Sequence, residues 1–177
     1  VANPFYNCYC TTGVGGNCAT SAIDTVSIQG TTLANGPTGC APTFYTAYPA
    51  TGNTTATLVQ GQSYQLDTRY NGNCRTSMWI DYNHNGIFDT YEWTQVCLTS
   101  TAGTLVTNAF NVPMGAMTGL TGMRIRSRSS AGANDSTSAC ANFGTGEIED
   151  YLITINVAAP PSDRRLLTRF NIRLIYR

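Results

Sequence analysis

The feature of this sequence that most constrains its fold is a series of short segments in which apolar and polar residues alternate. These segments lie between the N-terminus and residue 157. The 3.6-residue periodicity of an amphipathic helix is hard to find anywhere in that region. Gly, Asn and Pro bound the segments, and these residues favour turns. The predicted strands are Ala22–Gln29, Thr54–Val59, Ser63–Tyr70, Ser77–Tyr82, Glu92–Leu98, Thr104–Val112, Gly122–Ser129 and Glu147–Val157.

Strands of this length with short connections predict an all-β fold, an antiparallel β-sandwich of jelly-roll or immunoglobulin-like type. The sequence VQGQ at 59–62 predicts a hairpin turn between the second and third strands. In MRIRSRS, Met123 and Ile125 point to one face of a strand, and the intervening arginines point to the other. We therefore expect this strand to have one apolar face and one solvent-exposed face.

The composition excludes several classes of protein. The formal net charge is zero, so no global charge favours nucleic acid or an anionic membrane. Apolar runs fall well short of the ~20 residues of a membrane-spanning helix, so no membrane span is predicted. The chain begins with VANPFYNC, as expected of a mature product whose leader has been removed. These features favour an extracellular or cell-surface location.

Seven cysteines are spread over the chain, at positions 8, 10, 18, 40, 74, 97 and 140. They lack the paired C-x-x-C spacing of a zinc site, and the single histidine, His84, does not supply one. A disulfide framework of an exported protein is the better interpretation. Three bridges leave one thiol, which is either free or paired between molecules.

Residues 81–92, DYNHNGIFDTYE, match the calcium-loop pattern D-x-[DN]-x-[DN]-G-x5-E at every specified position. Calcium prefers six to eight oxygen ligands, and such a loop supplies them from positions 1, 3, 5, 7, 9 and 12. An Asn- and Gly-rich hairpin that binds nothing is the alternative, because the same residues favour turns. We predict Ca²⁺ as the cofactor, and its ligands as Asp81, Asn83, Asn85, Ile87 (through its carbonyl), Asp89 and Glu92.

Glu147 and Glu149 lie on the same face of a predicted strand, ~7 Å apart by strand rise. Two carboxylates at such a spacing can perform acid–base hydrolysis of a sugar. However, the sequence shows no His, Ser or Cys partner for them. The arginines of the neighbouring MRIRSRS strand are expected to neutralise them across the sheet. These arginines are Arg124, Arg126 and Arg128. We therefore predict that the chain is not an enzyme.

After Val157 the composition changes, and a Pro-rich linker at 158–163 leads into an Arg-rich tail at 164–177. From Asp163 onward arginines exceed acids by four, and the rest of the chain carries the opposite excess. The alternating tail is predicted to add an extra strand to a sheet edge. If the edge belongs to the same molecule, the chain is monomeric; if to the next, a head-to-tail filament forms, which we favour. The assembly residues are Phe170, Ile172, Leu174 and Tyr176.

WIDYNHNGIFDTYE, followed about fifty residues later by GEIEDY, resembles the GEVED domain, a module of secreted and surface proteins of Bacteroidetes. Supporting matches include Tyr9-Cys10, IDTVSIQGTTLAN and NVPMGAMTGLTGMRIRSR, so the resemblance covers residues 9 to 157. GEIED departs from the name motif only at Ile148, where the family has Val. The resemblance implies a β-sandwich domain over 1–157, of a kind often attached to adhesins and secreted hydrolases. It implies no catalytic residues.

In such a sandwich, residues 81–92 form a long hairpin loop that a bound ion would stiffen. Cys74 and Cys97 lie on either side of it, and we expect them to be bridged, which would contribute about 3 kcal/mol of stability. Further expected bridges are Cys18–Cys40 and Cys10–Cys140, which leave Cys8 as the odd cysteine and a candidate for an intermolecular bridge.

The predicted function is a non-enzymatic, calcium-stabilised extracellular module with a structural or adhesive role, whose partners are copies of itself or surface glycans. The alternative is a carbohydrate-binding accessory domain of a secreted hydrolase or adhesin, with Trp79, Trp93 and tyrosines as its platform. Short motifs also predict modification: N-glycosylation at Asn53 and Asn134, and O-glycosylation at Thr25 and Ser136.

Overall fold

The computed structural model describes residues 9–11 and 14–160, and β-strands make up nearly all of their regular structure. Helical structure among these residues is limited to the short 3-10 turns Gly52–Thr54 and Thr90–Glu92. None of the helices found there has the length and apolar character needed to cross a membrane. The strands are Ile23–Ile28 (β1), Ala34–Asn35 (β2), Tyr45–Ala47 (β3), Thr57–Val59 (β4), Ser63–Tyr70 (β5), Cys74–Ile80 (β6), Trp93–Cys97 (β7), Val106–Asn111 (β8), Gly119–Ser129 (β9) and Ile148–Asn156 (β10).

The strands form two sheets, which confirms the predicted all-β sandwich. One sheet has the order β2-β1-β5-β8, and the other has the order β3-β10-β9-β6-β7 with β4 also on β10. Each of the eight predicted segments overlaps a strand, although β6 and β9 each begin three residues before the predicted start. The second sheet differs from the prediction in being mixed, because β3 and β4 run parallel to β10. β2 and β3 were not predicted, since two or three residues are too few to show an alternation.

The main core lies between the two sheets and follows from the alternation of each strand. In β5, Leu66, Thr68 and Tyr70 are buried, whereas Gln65 and Arg69 are exposed. Apolar residues from both sheets meet in this core, as expected when each sheet has an apolar face to bury. Its largest fully buried apolar side chains include Ile23, Ile28, Leu58, Leu66, Tyr70, Met78, Ile80 and Tyr151.

The outer face of the six-stranded sheet is also buried, contrary to the prediction for β9. Arg124 and Arg126 are 0% and 1% exposed, so the face predicted to meet solvent is covered. The physical reason is that residues 9–11, 14–16 and 133–145 cross this face and supply carbonyl partners to the guanidinium groups. A second, smaller apolar cluster lies on the same side, composed of Tyr9, Trp79, Phe88 and Ala139 with Trp93 packed against it.

The predicted turn at 59–62 is present, but it does not close a hairpin. The backbone N–H of Gln62 donates to the Val59 carbonyl at 3.2 Å, and Gly61 has a φ of +72°. However, β4 pairs with β10, whereas β5 pairs with β1 and β8. The turn therefore carries the chain from one sheet to the other. By contrast, β6 and β7 pair as the predicted antiparallel hairpin around residues 81–92.

The C-terminal predictions fall largely outside the described residues. β10 ends at Asn156, just before the predicted linker at 158–163, of which residues 158–160 are described. The predicted tail strand at 164–177 and Cys8 lie outside that part of the chain, so those predictions stay predictions.

Candidate metal centre

The predicted calcium ligands lie in a single loop, and its backbone is shaped by their side chains. Asn83 Oδ1 accepts the backbone N–H of Asn85, and Asn85 Oδ1 accepts that of Ile87, both at 2.8 Å. Asp81 Oδ2 accepts the backbone N–H of Gly86 at 2.9 Å. Asn and Asp favour such turns, and the φ of +79° at Gly86 suits glycine. The oxygens of the first, third and fifth loop positions therefore lie against the loop's own backbone.

Glu92 and Asp89 hold the end of the loop to its beginning. Glu92 is 2% exposed, and its Oε1 accepts the backbone N–H of Tyr82 at 2.8 Å, while its Oε2 accepts that of Asp89 at 3.0 Å. Asp89 Oδ2 accepts the side-chain amides of Asn85 at 2.9 Å and Asn83 at 3.1 Å. Burial raises the pKa of Glu92, and the bond from Asn85 lowers the pKa of Asp89.

Asp81 provides the test of whether these residues fit calcium. Its side chain is 0% exposed, and its Oδ1 has no hydrogen-bond partner. An unpartnered buried carboxylate oxygen is costly, and a cation would remove that cost. The carboxylates of the loop do not form a cluster with oxygens all within 4.8 Å of one another, as judged over the described residues. The fit therefore rests on Asp81 Oδ1 and on an all-oxygen donor set, which calcium prefers.

Tyr9 joins this loop from a distant part of the chain. Its hydroxyl donates to Asp81 Oδ2 at 2.7 Å, and its ring stacks on Phe88 with centroids 4.4 Å apart. The two residues joined by the hydrogen bond are 72 positions apart, so no local pattern pointed to the contact. The only signal in the sequence was that Tyr9 adjoins Cys10, a cysteine expected to be bridged.

Behind the loop, Arg124, Arg126 and Arg128 form a row on the outer face of β9. The guanidinium of Arg124 lies 4.9 Å from the centroid of the Phe88 ring. Arg126 and Arg128 lie 3.9 and 3.8 Å from the centroid of the Phe143 ring, which both guanidiniums contact. Burial and the two neighbouring arginines lower the pKa of Arg126 to about 9. The acceptors for Arg126 are the carbonyls of Val14, Ser138, Ala139 and Ala141.

Glu147 and Glu149 do not face these arginines, so the predicted cross-strand neutralisation is wrong. In β10, Glu149 pairs with Ile125 and therefore points into the core between the sheets. Asp150, the next residue, points to the opposite face and pairs with Arg124. The prediction failed because alternation assigns residues to two faces but does not say which face carries the glutamates.

Each glutamate has its own partners in the sandwich interior. Glu147 Oε1 accepts the backbone N–H of Ile23 at 2.5 Å, and burial raises its pKa to about 7. Glu149 accepts the hydroxyls of Tyr48 at 3.2 Å and Tyr151 at 2.6 Å, and burial raises its pKa to about 6. The desolvation of each carboxylate exceeds the effect of the hydrogen bonds that favour its charged form.

Comparison with known families bears directly on this region. Residues 75–154 match the sequence profile of the GEVED domain. The segment from residue 75 to residue 154 is thus a GEVED domain. The match runs from β6 into β10 and so includes the loop, the arginine row and both glutamates. It is narrower than the extent of 9 to 157 inferred from the sequence.

The chain was also compared with curated proteins and with solved structures. The comparison with curated proteins gave no match. Among solved structures, the chain matches a Niemann-Pick type C2 protein from Japanese carpenter ant with a TM-score of 0.39 and 7% identity. That match covers 81% of this chain and 99% of the other.

The name motif of the GEVED domain, GEIED in this chain, holds loops and strands together. A Cβ at Gly146 would lie 2.1 Å from the carbonyl oxygen of Ser127, and the φ of Gly146 is +89°. Glu147 binds the backbone of both Ile23 and Ala41, the latter at 3.2 Å. The glycine therefore permits close strand packing, and the first glutamate ties β10 to the opposite sheet.

Two of the three bridges expected for this chain are present, Cys10–Cys140 and Cys18–Cys40. The third is not formed in the structure, where Cys74 and Cys97 are free. In the β6–β7 pair, Cys97 lies opposite Thr76 instead of Cys74, and the Cys97 thiol donates to the Cys74 carbonyl at 3.6 Å. The two cysteines are thus diagonal neighbours, because the residue opposite Cys97 is Thr76, two positions along β6 from Cys74.

The residues predicted to bind sugar or to be glycosylated differ in their exposure. Trp79 is 0% exposed and Trp93 packs beside it in the smaller cluster, so Trp79 cannot form a sugar-binding platform. Asn134 is 1% exposed, and its side-chain amide donates to the carbonyls of Arg75 and Arg126, which contradicts N-glycosylation of the folded chain there. The other predicted glycosylation sites are Asn53, which is exposed, and Thr25 and Ser136, which are half-buried.

Proposed function

We propose that this chain is a non-enzymatic, structural or adhesive extracellular module whose long β6–β7 hairpin is stabilised by calcium. The observation that carries this proposal is the fully buried carboxylate of Asp81, whose Oδ1 has no partner. It stands at the first position of a loop with the oxygen ligands that calcium prefers. The two disulfides support export, because such bridges persist in oxidising compartments.

Calcium would supply positive charge to a loop whose designated ligands carry three carboxylates and no cation. After burial, the charge of Asp81 also raises the pKa of Glu92, so these two carboxylates repel each other, and the low dielectric around the buried Asp81 strengthens that repulsion. The Asn side chains and the Ile87 carbonyl would complete the ligand set. An ion in this position fixes the conformation of a hairpin, which is a structural role.

The environment of the two glutamates favours a non-enzymatic role. Glu147 and Glu149 are 2% and 1% exposed, and each carboxylate oxygen accepts a hydrogen bond from within the chain. The carbohydrate-binding alternative has less support, because Trp79 is buried. A glycan array with the isolated domain checks this alternative, and specific sugar binding would favour it.

Thermal unfolding with and without calcium tests the proposal. Millimolar calcium over a site with a Kd of ~10 µM would stabilise the fold by roughly 2.7 kcal/mol. We therefore expect chelation to lower the Tm by roughly 5–10 °C. Asp89→Asn should reduce this sensitivity, whereas the same change at Asp135, outside the loop, should preserve it. An identical melting curve in calcium and in excess chelator would show that the loop is only a turn.

A second proposed function is self-assembly by strand addition at the edge of β8. This strand pairs with β5 on one side, and no other strand extends its sheet within the described residues. Its residues, Val106–Asn111, carry no charge, and charged side chains are a common protection of exposed edges. The alternating tail at 164–177 is the proposed donor from a neighbouring molecule.

Truncation after Val157 tests assembly when combined with sizing and electron microscopy. We expect full-length chains to form filaments and truncated chains to remain monomeric. Filaments that persist without the tail, or a full-length chain that is monomeric at high concentration, would exclude strand donation.

A further inference from the structure

The contact between Tyr9 and Asp81 lies at the point where the candidate metal centre meets the rest of the fold. Tyr9 is 7% exposed and Asp81 is 0% exposed, so their hydrogen bond is shielded from water. Asp81 Oδ2 receives this bond together with that from the backbone of Gly86. Both known partners of the carboxylate thus occupy one oxygen, and Oδ1 is left for another ligand.

The ring of Tyr9 is fixed in place by its surroundings. One face stacks on Phe88, a residue of the loop itself, with an interplanar angle of 16°. The ring also lies against Gly122 of β9, where an added Cβ would come within 2.7 Å of two ring carbons. The same Gly122 accepts the backbone N–H of Asp81 through its carbonyl, at 3.0 Å. The ring and the carboxylate are therefore positioned against one short stretch of β9.

The backbone next to Tyr9 is anchored by a covalent bond. Cys10 is bridged to Cys140 across 130 positions, and its carbonyl accepts Nη2 of Arg124 at 2.7 Å. Arg124 in turn lies over the ring of Phe88. The disulfide thus fixes the backbone beside Tyr9. The hydrogen bond from the Tyr9 hydroxyl in turn fixes the position of the Asp81 carboxylate.

We propose that Tyr9 is a positioning residue for the calcium site, and that the Cys10–Cys140 bridge sets calcium affinity through it. This inference rests on the proposed calcium function. The Tyr9 hydroxyl holds the Asp81 carboxylate in the rotamer that reserves Oδ1 for the ion. Without that bond only the backbone N–H of Gly86 holds Oδ2, so the ion must complete the orientation of the carboxylate and part of the binding free energy is lost. Partners that orient a metal ligand typically change affinity 10–100-fold.

Calorimetric titration of calcium into the full chain tests the proposal with matched tyrosine variants. Tyr9→Phe keeps the ring that stacks on Phe88 and removes only the hydroxyl, and we expect calcium affinity to fall about 10-fold. Tyr151→Phe is the control, because it removes a buried tyrosine–carboxylate hydrogen bond on the opposite face of the same sheet. Calcium affinity should be unchanged in this control.

A double-variant cycle tests the role of the bridge. Replacing Cys10 and Cys140 by Ser should weaken calcium binding in the parent chain and have little further effect in the Tyr9→Phe background. Circular dichroism at the titration temperature checks that the sandwich is folded in each variant. If the bridge variant does not fold, the comparison of Tyr9→Phe with Tyr151→Phe still decides the role of Tyr9.

The outcomes separate the two proposals. If the parent chain takes up no calcium, the proposed function fails and this inference fails with it. If the parent binds calcium and Tyr9→Phe binds equally well, only the positioning role is overturned. Equal losses in Tyr9→Phe and Tyr151→Phe would also overturn it, since they would reflect general destabilisation.

Discussion

Asp150 accepts two hydrogen bonds from the guanidinium of Arg124 across the β9–β10 pair, with nitrogen–oxygen distances of 2.8 and 2.7 Å. It is the one salt bridge between described residues, and both side chains are buried. Burial is the largest single influence on the pKa of Arg124 and would lower it, but the charge and hydrogen bonds of Asp150, together with Tyr45, outweigh burial and the pKa is raised. The pair therefore joins the last residue of the GEIED motif to the loops that cover the outer face.

Asp150→Asn should destabilise the fold by about 3–5 kcal/mol, because it leaves the buried charge of Arg124 without its counter-charge. The same substitution at Asp67, whose hydrogen bonds are at the surface, should cost less than about 1 kcal/mol. Urea unfolding of the two variants and the parent measures both effects. Equal losses in the two variants would contradict the assigned role of the ion pair.

A second prediction concerns the pH dependence of stability. Between the ordinary glutamate pKa of 4.5 and about 7, the folded chain retains a proton on Glu147 that the unfolded chain has lost. The same holds for Glu149 up to about 6. Stability from these groups is therefore greatest at low pH and falls as the pH rises through this range. We expect a loss of roughly 2–5 kcal/mol between pH 4.5 and pH 8, measured by urea unfolding.

Variants of the two glutamates distinguish their contributions. Glu149→Gln should remove about 2 kcal/mol of the pH-dependent loss, because an amide does not titrate. The fold should tolerate the change, since the amide can still pair with the hydroxyls of Tyr48 and Tyr151. Glu147→Gln should be destabilising at every pH, since both of its partners are backbone N–H donors and an amide has one oxygen. A pH profile unchanged in Glu149→Gln would refute this assignment.

The sequence predicts well whatever depends on neighbouring residues. The alternation in β9 correctly places Met123 and Ile125 in the core. The loop 81–92 was identified because its candidate ligands lie within twelve positions. Part of what covers the far face of β9 comes from residues more than a hundred positions away, such as Val14, whose carbonyl binds Arg126. No local pattern encodes such a contact, and the Tyr9–Asp81 bond escaped notice for the same reason.

The sequence likewise predicts a turn better than it predicts the sheet to which a strand belongs. The Gly-containing turn at 59–62 follows from local residue preferences, and it is present. Whether the flanking strands pair with each other depends on the whole sheet, and here β4 and β5 belong to different sheets. The short strands β2 and β3 lie on either side of the cis peptide at Gly36–Pro37. They are strands because they pair with β1 and β10, and their own sequences do not predict them.

The last prediction concerns the thiols of Cys74 and Cys97, which the structure leaves unbridged. Burial raises the pKa of Cys74 to about 11 and also raises the pKa of Cys97, so at neutral pH little of either residue is the reactive thiolate. Alkylation of the folded chain at pH 7 should leave both unmodified, and alkylation in denaturant should label both without prior reduction.

Cys10, Cys18, Cys40 and Cys140 should be labelled only after reduction, which is an internal control. Peptide mapping by mass spectrometry reads each cysteine separately. Recovery of a Cys74–Cys97 disulfide-linked peptide from the unreduced chain would instead support the bridge predicted from the sequence.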